Sequence, residues 1–392
     1  MSEHLACFES TDGVARVILP FDYNQAIADW AALRKTMVRQ VPDGFTRDEW
    51  AYLVTFLDHE NLTAPFVRSF GQPAPTASSP AGMVYRPRGG IAVWLPNNVS
   101  LLGPLVMVLL SLTGQPIRLK LGSTTDDLAG AFLEYVRQHL PEGDLKALLE
   151  SGVTAERFER GDPRQSELAR WARVRIVFGT DEAAEAIHGL PHPLDSVGIS
   201  FVDRQSEAWL DNGALNDEVL GTLLKVFAIY GQAGCTSPRR VVLIDGSKSQ
   251  ATGLRDRLLE LWPKVIRADT PMHTASENVM AAQWSRAVGW DTRVVPNNAA
   301  VLSVGSHTLP GFDARLGLRI LHAGRQQARD GLPANIQTIG HALGDPADPE
   351  WPALLASTPV NRFVPLAQMH HFSSTWDGQD YWRQCFEVME VR

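Results

Sequence analysis

Apolar positions along the chain alternate between short runs of strand character and longer stretches at helical spacing. That is the pattern of an α/β protein with a largely parallel sheet. Residues 91–95 form an apolar run closed by the turn residues Pro96-Asn97-Asn98, and a strongly apolar helix follows to about Leu112. Gly114 and Pro116 stop that helix, and residues 117–121 predict the next strand. This βαβ unit has its turn at the carboxyl end of a strand, where open parallel sheets place their ligands. Residues 126–140 predict an amphipathic helix and 174–178 a strand. Gly179-Thr180-Asp181-Glu182 then opens a helix to about His188, and 199–203 predicts another short strand. Over 216–230 the residues Val219, Leu220, Leu223, Leu224, Val226, Phe227 and Tyr230 recur at helical spacing. That helix runs directly into Gly231-Gln232-Ala233-Gly234-Cys235 and a strand over 240–244. A helix over 251–262 precedes a strand-rich stretch with strands at 299–304, 318–321 and 335–339. Segment 69–81, rich in Pro, Ser and Ala, predicts an exposed connection, and no internal repeat is visible.

Composition narrows the class. At 392 residues the chain has room for two or three domains, and 44% hydrophobic with 20% charged residues is ordinary globular usage. The net charge of −8, with no block of Lys or Arg, carries no footprint for nucleic acid or an anionic membrane. The most apolar stretch, residues 101–112, spans only 12 positions and contains Gly103 and Pro104. A membrane span needs about 20 apolar residues, so a buried helix is expected there. No apolar signal-peptide core opens the sequence, and the three cysteines, Cys7, Cys235 and Cys385, form no CxxC pair. A cytoplasmic, reducing setting is the expectation.

Cys235 is the candidate that carries chemistry. It lies between a helix end and a strand start, with glycines at 231 and 234 that let the backbone bend tightly. A sulfur projecting from such a bend, beside backbone amides, suits a thiolate nucleophile, and Arg239 and Arg240 are neighbouring cations. Locally the residue also reads as a small buried hydrophobe, the common fate of cysteine outside disulfides.

Residues 231–244, GQAGCTSPRRVVLI, resemble the nucleophile segment of the aldehyde dehydrogenase superfamily, and the Cys-x-Ser-Pro ending is similar to its LuxC-like acyl-CoA reductase branch. Leu95-Pro96-Asn97-Asn98-Val99 resembles that branch's Ala-Pro-x-Asn-Val turn, with Ser100 in place of the following proline. Asn335 to Gly340 resembles its Gln-Thr-hydrophobic-Gly segment, while Arg362-Phe363-Val364-Pro365 and Trp376-Asp377-Gly378 resemble its closing motifs. The matches are collinear across residues 90–380.

The resemblance implies an aldehyde dehydrogenase-like α/β fold. A Rossmann-type cofactor domain would span 1–209 with a returning tail at 361–392, and a catalytic domain 210–360. It implies Cys235 as nucleophile and Asn98 as donor to the thioester oxygen. Lys120 would contact the adenosine ribose, Gly179 and Thr180 the pyrophosphate, and Gln337 the nicotinamide ribose. Ser123 stands where many NAD-preferring relatives carry a glutamate, which favours NADPH over NADH. The implied reaction is reduction of an acyl-CoA or acyl carrier protein thioester to an aldehyde by a homo-oligomer, with an acyl-transferring partner protein. The glutamate that activates water in hydrolytic relatives has no counterpart in Leu194 to Ile199. An acid-forming aldehyde dehydrogenase and a catalytically silent scaffold are the rival readings. His188, His192, His370 and His371 lack zinc-ligand spacing, so no metal is expected, and His341 is a possible base with nothing to place it.

Overall fold

The computed structural model describes residues 6–10, 15–75, 82–123, 128–267, 269–305 and 315–391. They form two compact units, one of residues up to Val202 together with those from Phe372 on, the other of Asp203–His371.

In the first unit five parallel strands are β1 (Ile91–Trp94), β2 (Ile117–Lys120), β3 (Val153–Glu156), β4 (Val174–Phe178) and β5 (Val197–Phe201), in the order β3-β2-β1-β4-β5. The order reverses between β1 and β4, which makes the carboxyl ends of these two strands a topological switch point. Helix α1 (Leu102–Ser111), buried along its whole length, and α2 (Leu128–His139) pack on one face. Helices Arg164–Trp171 and α3 (Asp181–His188) cover the other through Ala92, Trp94, Val177, Leu168 and Ala184. Residues 126–127 of the expected second helix lie outside the described residues.

A separate sheet of Phe386–Val391, Gly82–Pro87, Ala15–Leu19, Ala6–Ser10 and Pro73–Pro75 left no periodic trace that the sequence reading caught. It also corrects the exposed connection at 69–81. Ser69 and Phe70 end the helix His59–Phe70 and are buried, because Ser69 Oγ donates to Asp380 (2.8 Å) and Phe70 packs among Phe66, Tyr85, Trp382 and Phe386. Residues 76–81 of that segment lie outside the described residues.

The second unit is built on β6 (Gln205–Asp211), β7 (Pro238–Ile244), β8 (Asp291–Val294), β9 (Val301–Val304), β10 (Gly317–Ala323), β11 (Ile336–Ala342) and β12 (Arg362–Pro365). Their order is β8-β9-β10-β7-β6-β11-β12, with only β8 antiparallel to its neighbour. Helices α4 (Asp217–Ala228) and α5 (Lys248–Val265) pack against Ala208, Leu210, Val241, Leu243, Leu318 and Ile320 on one face. The other face carries Trp209, Val242, Leu321 and Ile339 under Trp290 and Trp351. Both helices begin with side-chain caps, Asn216 to Val219 N–H and a Ser247–Gln250 capping box. Strand β6 sits in the middle of this sheet and β12 at its edge, so residues 203–209 and 361–371 pack with the second unit, where the sequence reading put them with the first. Pairing across a sheet, not position along the chain, sets that assignment. Among the described residues no helix is long and apolar enough to cross a membrane.

Candidate active site

Cys235 lies seven residues beyond the end of α4, and the backbone between them is held in an unusual path. Tyr230, Gly231 and Gln232 all have positive φ, 53°, 60° and 62°. Gly231 takes this conformation freely, whereas Tyr230 and Gln232 bear side chains there at a cost of order 1–3 kcal/mol each, tolerated only where the surroundings over-determine the geometry. Those surroundings are visible. The buried Gln232 side chain donates to the carbonyls of Pro238 (2.9 Å) and Gly317 (3.0 Å) and accepts from the Gly317 N–H (3.0 Å). The bend is thereby tied to the starts of β7 and β10. From β6, Ser206 Oγ donates to the Cys235 carbonyl at 2.7 Å. Thr236 Oγ1 meets His370 Nδ1 at 2.7 Å, and His370 Nε2 meets the Val226 carbonyl of α4 at 2.8 Å. Cys235 itself is half-buried and in no disulfide.

Arg240 is engaged by other groups. It forms a buried ion pair with Glu207 and donates to the Gly331 carbonyl (2.7 Å). Along β7, Val241 and Leu243 face α4 and α5, so Arg240 takes the opposite face, with Trp209 and Val242. Burial, then the neighbouring Arg319, brings its guanidinium down to about 10. His341 lies on that same face, stacked on Phe363 at 4.4 Å, and burial lowers its pKa.

Gln337 is fully buried, and neither its Oε1 nor its Nε2 has a hydrogen-bond partner among the described residues. The register explains its placement. Gln205 pairs with Ile336 and Ser206 with Thr338, which leaves Gln337 as the extra residue of a β-bulge.

The other predicted residues belong to the first unit. Asn98 is exposed in the turn after β1. Its neighbour Asn97 donates to Ser123 Oγ (3.4 Å), and Arg157 donates to the Ser123 carbonyl (2.9 Å). Lys120 ends β2 with its ammonium 5.9 Å above the Phe158 ring. Burial lowers its pKa; Arg160 and Arg157 add to that and Glu159 opposes it. Lys120, Ser123, Arg157 and Arg160 thus gather at the carboxyl ends of β2 and β3. Gly179 follows β4, and Thr180 caps α3 by accepting from Ala183 N–H (3.3 Å). Within the first unit the structure brings Lys120 and Ser123 to one end of the sheet, with Asn98, Gly179 and Thr180 at the switch point. In the second, Cys235 precedes β7 and Gln337 lies on β11, the two strands that flank β6.

Sequence reasoning assigned no role to Ser206, Gln232, Thr236, His370, Arg362 or Arg157. Gln232, Thr236 and Arg362 stand inside the quoted motifs; the sequence offers His370 only as a metal-ligand candidate.

The family described as acyl-CoA reductase (LuxC) matches residues 20–283. No curated protein sequence matches the chain. Solved structures do. Methylmalonate-semialdehyde dehydrogenase from Oceanimonas doudoroffii aligns with a TM-score of 0.69 at 11% identity, over 94% of this chain and 85% of that one. An NAD-dependent aldehyde dehydrogenase from Sinorhizobium meliloti aligns at 0.67 and 10% identity, over 95% and 82%. An NAD-dependent benzaldehyde dehydrogenase from Corynebacterium glutamicum aligns at 0.64 and 10% identity, over 94% and 83%. At these identities the likeness concerns the fold, which is of the aldehyde dehydrogenase type.

Proposed function

This chain belongs to the acyl-CoA reductase (LuxC) family, oxidoreductases of acyl and aldehyde groups, and from that membership we propose that it reduces an acyl thioester to an aldehyde through Cys235 with NADPH. The observation that carries the proposal is the bend at Cys235, where Tyr230 and Gln232 take positive φ and side-chain hydrogen bonds fix Gln232, the Cys235 carbonyl and Thr236 beside a half-buried thiol. Strained backbone held by surrounding structure clusters at functional sites.

The Cys235 thiolate adds to the thioester carbonyl carbon, the bond from that carbon to the leaving sulfur breaks, and the released thiol takes a proton from solvent. The Asn98 amide donates to the carbonyl oxygen as charge develops; removing one such donor costs about 10²–10³ in rate. A nicotinamide cofactor, when bound, would supply the hydride that reduces the acyl carbon. Collapse of the hemithioacetal returns the C–S electron pair to the Cys235 sulfur and frees the aldehyde. Water is a poor competitor because the glutamate that activates it in hydrolytic relatives has no counterpart in Leu194 to Ile199.

The residues fit a dinucleotide. The switch point between β1 and β4 is where such ligands sit, and the Thr180-capped start of α3 presents N–H groups suited to a pyrophosphate. Lys120, Ser123 and Arg157 suit an adenosine ribose with a 2′-phosphate, and the unsatisfied amide of Gln337 has hydrogen-bonding capacity for the nicotinamide ribose. The acyl donor is a coenzyme A or carrier-protein thioester.

The test is a panel of acyl thioesters with NADPH, following absorbance loss and trapped aldehyde, with Cys235→Ala alongside. Aldehyde formation that disappears in the variant, with an acyl-enzyme seen by mass spectrometry in the parent, supports the proposal. Acid formed from aldehyde with no thiol acceptor would favour an aldehyde dehydrogenase. Neither activity nor acylation would leave a silent scaffold.

A further inference from the structure

Three segments quoted for their resemblance, 231–244, 335–340 and 362–365, have no shared role in the proposed reaction, yet the structure joins them around the turn that carries His370. The Val226 carbonyl, in the last turn of α4, can only accept, so His370 Nε2 carries the proton. Burial keeps the imidazole neutral at pH 7, so His370 Nδ1 accepts and the Thr236 hydroxyl donates to it. Neutral His370 therefore bridges the end of α4 to the residue after Cys235. The turn bearing His370 is itself clamped. Arg362, at the start of β12, donates to the carbonyls of Met369 (3.0 Å), His371 (3.1 Å) and Gln368 (3.2 Å). Met369 packs directly over Gly340 of β11, where a Cβ would lie 2.2 Å from its sulfur. Gly340 admits the turn, Arg362 fastens it, and His370 reaches from it to Thr236.

We propose that His370 is the positioning residue for the nucleophile, holding the Cys235 bend in register through Thr236 from a turn fixed by Arg362 and Gly340. The proposal rests on the reading of Cys235 as nucleophile. It assigns His370 no proton transfer to substrate. Its job is geometric, and small misplacements of a nucleophile are expensive, about 10²-fold in rate for roughly 1 Å.

The experiment uses the full-length protein with Thr236→Val, Thr236→Ser, His370→Phe and Cys235→Ala. For each variant, kcat and KM with an active acyl thioester are measured with the rate of Cys235 alkylation by iodoacetamide, and folding is checked by thermal melt. Thr236→Val keeps the side chain's shape and removes only the hydroxyl, so it decides the matter if His370→Phe does not fold. Expected are a loss in kcat of about tenfold or more for Thr236→Val and His370→Phe, with KM changed far less. A slower or faster alkylation rate should accompany it, and Thr236→Ser should stay within about twofold of the parent. Folded Thr236→Val with parental kcat and alkylation, while Cys235→Ala is inactive, overturns the positioning role and leaves the nucleophile reading intact. Full activity in Cys235→Ala overturns both.

Discussion

His370 and Gln337 show how far a single side chain's surroundings govern what it can do. Burial outweighs the hydrogen bond to Val226, with Arg362 adding to burial's effect, and brings the His370 imidazole down to about 4. The sign of its linkage follows. An unfolded histidine titrates near 6.5, so between that value and about 4 the unfolded chain binds a proton that the native protein refuses. The stabilisation is complete above pH 6.5 and is lost as pH falls toward 4. It amounts to no more than about 3 kcal/mol, reduced because part of the ring keeps solvent contact. Denaturant melts from pH 7 to 4.5 should show a steeper decline for the parent than for His370→Phe, and parallel curves would contradict this. Gln337 makes the opposite case. Its buried amide without partners costs about 1–3 kcal/mol, so Gln337→Met should leave stability unchanged or raise it by about 1 kcal/mol. If the amide serves the cofactor, KM for NADPH should rise several-fold in the same variant. A stability loss above about 2 kcal/mol would mean that the amide is satisfied after all.

At the level of elements, strand β11 matters through what it leaves out. Gly340 has no Cβ because Met369, fully buried, fills that space with its sulfur and Cγ at 2.2 and 2.4 Å from where one would stand. Gly340→Ala forces the turn 366–369 outward, at a cost of about 1–3 kcal/mol for overpacking. The melting temperature should drop by several degrees and kcat should fall with it, since the same turn carries His370. An unchanged melting temperature would show that Met369 repacks freely. The bend before β7 depends on its neighbours in the same way. Gln232 reaches β10 at Gly317, 85 residues away, and Ser206 reaches the Cys235 carbonyl across 29. The helix–turn–strand order around Cys235 was legible from periodicity and glycine placement. Its cross-strand tethers were not, because a partner on a parallel neighbour leaves no mark in the local pattern.

For the whole molecule, the proposed chemistry draws on residues of both units. The first has the strand order of a dinucleotide-binding sheet, with Lys120, Ser123 and Arg157 at one end; the second carries the thiol. Ser123→Glu places a carboxylate where a 2′-phosphate would lie, so kcat/KM with NADPH should fall by about tenfold or more while NADH is spared or improved. Thermal protection by NADPH should shrink in parallel, from about 2.7 kcal/mol at a hundred times Kd in the parent. An unchanged NADPH-to-NADH ratio would remove Ser123 from cofactor choice. The sheet and helices before Ile91 were the least legible part of the fold. Their strands are short, and one of them, Phe386–Val391, comes from the other end of the chain.

By itself the sequence determined the alternation of strands and helices, the turn at Asn98 after a strand and the cysteine set in a glycine-flanked bend. Such features depend on residues a few positions apart, whose periodicity and turn chemistry are local. Only the tertiary structure decided that Arg240 pairs with Glu207, that Gln337 is buried in a bulge, and that His370 closes on Thr236 from 134 residues away. Those outcomes follow from the order in which strands stack, which brings distant backbone and side-chain groups within hydrogen-bond reach.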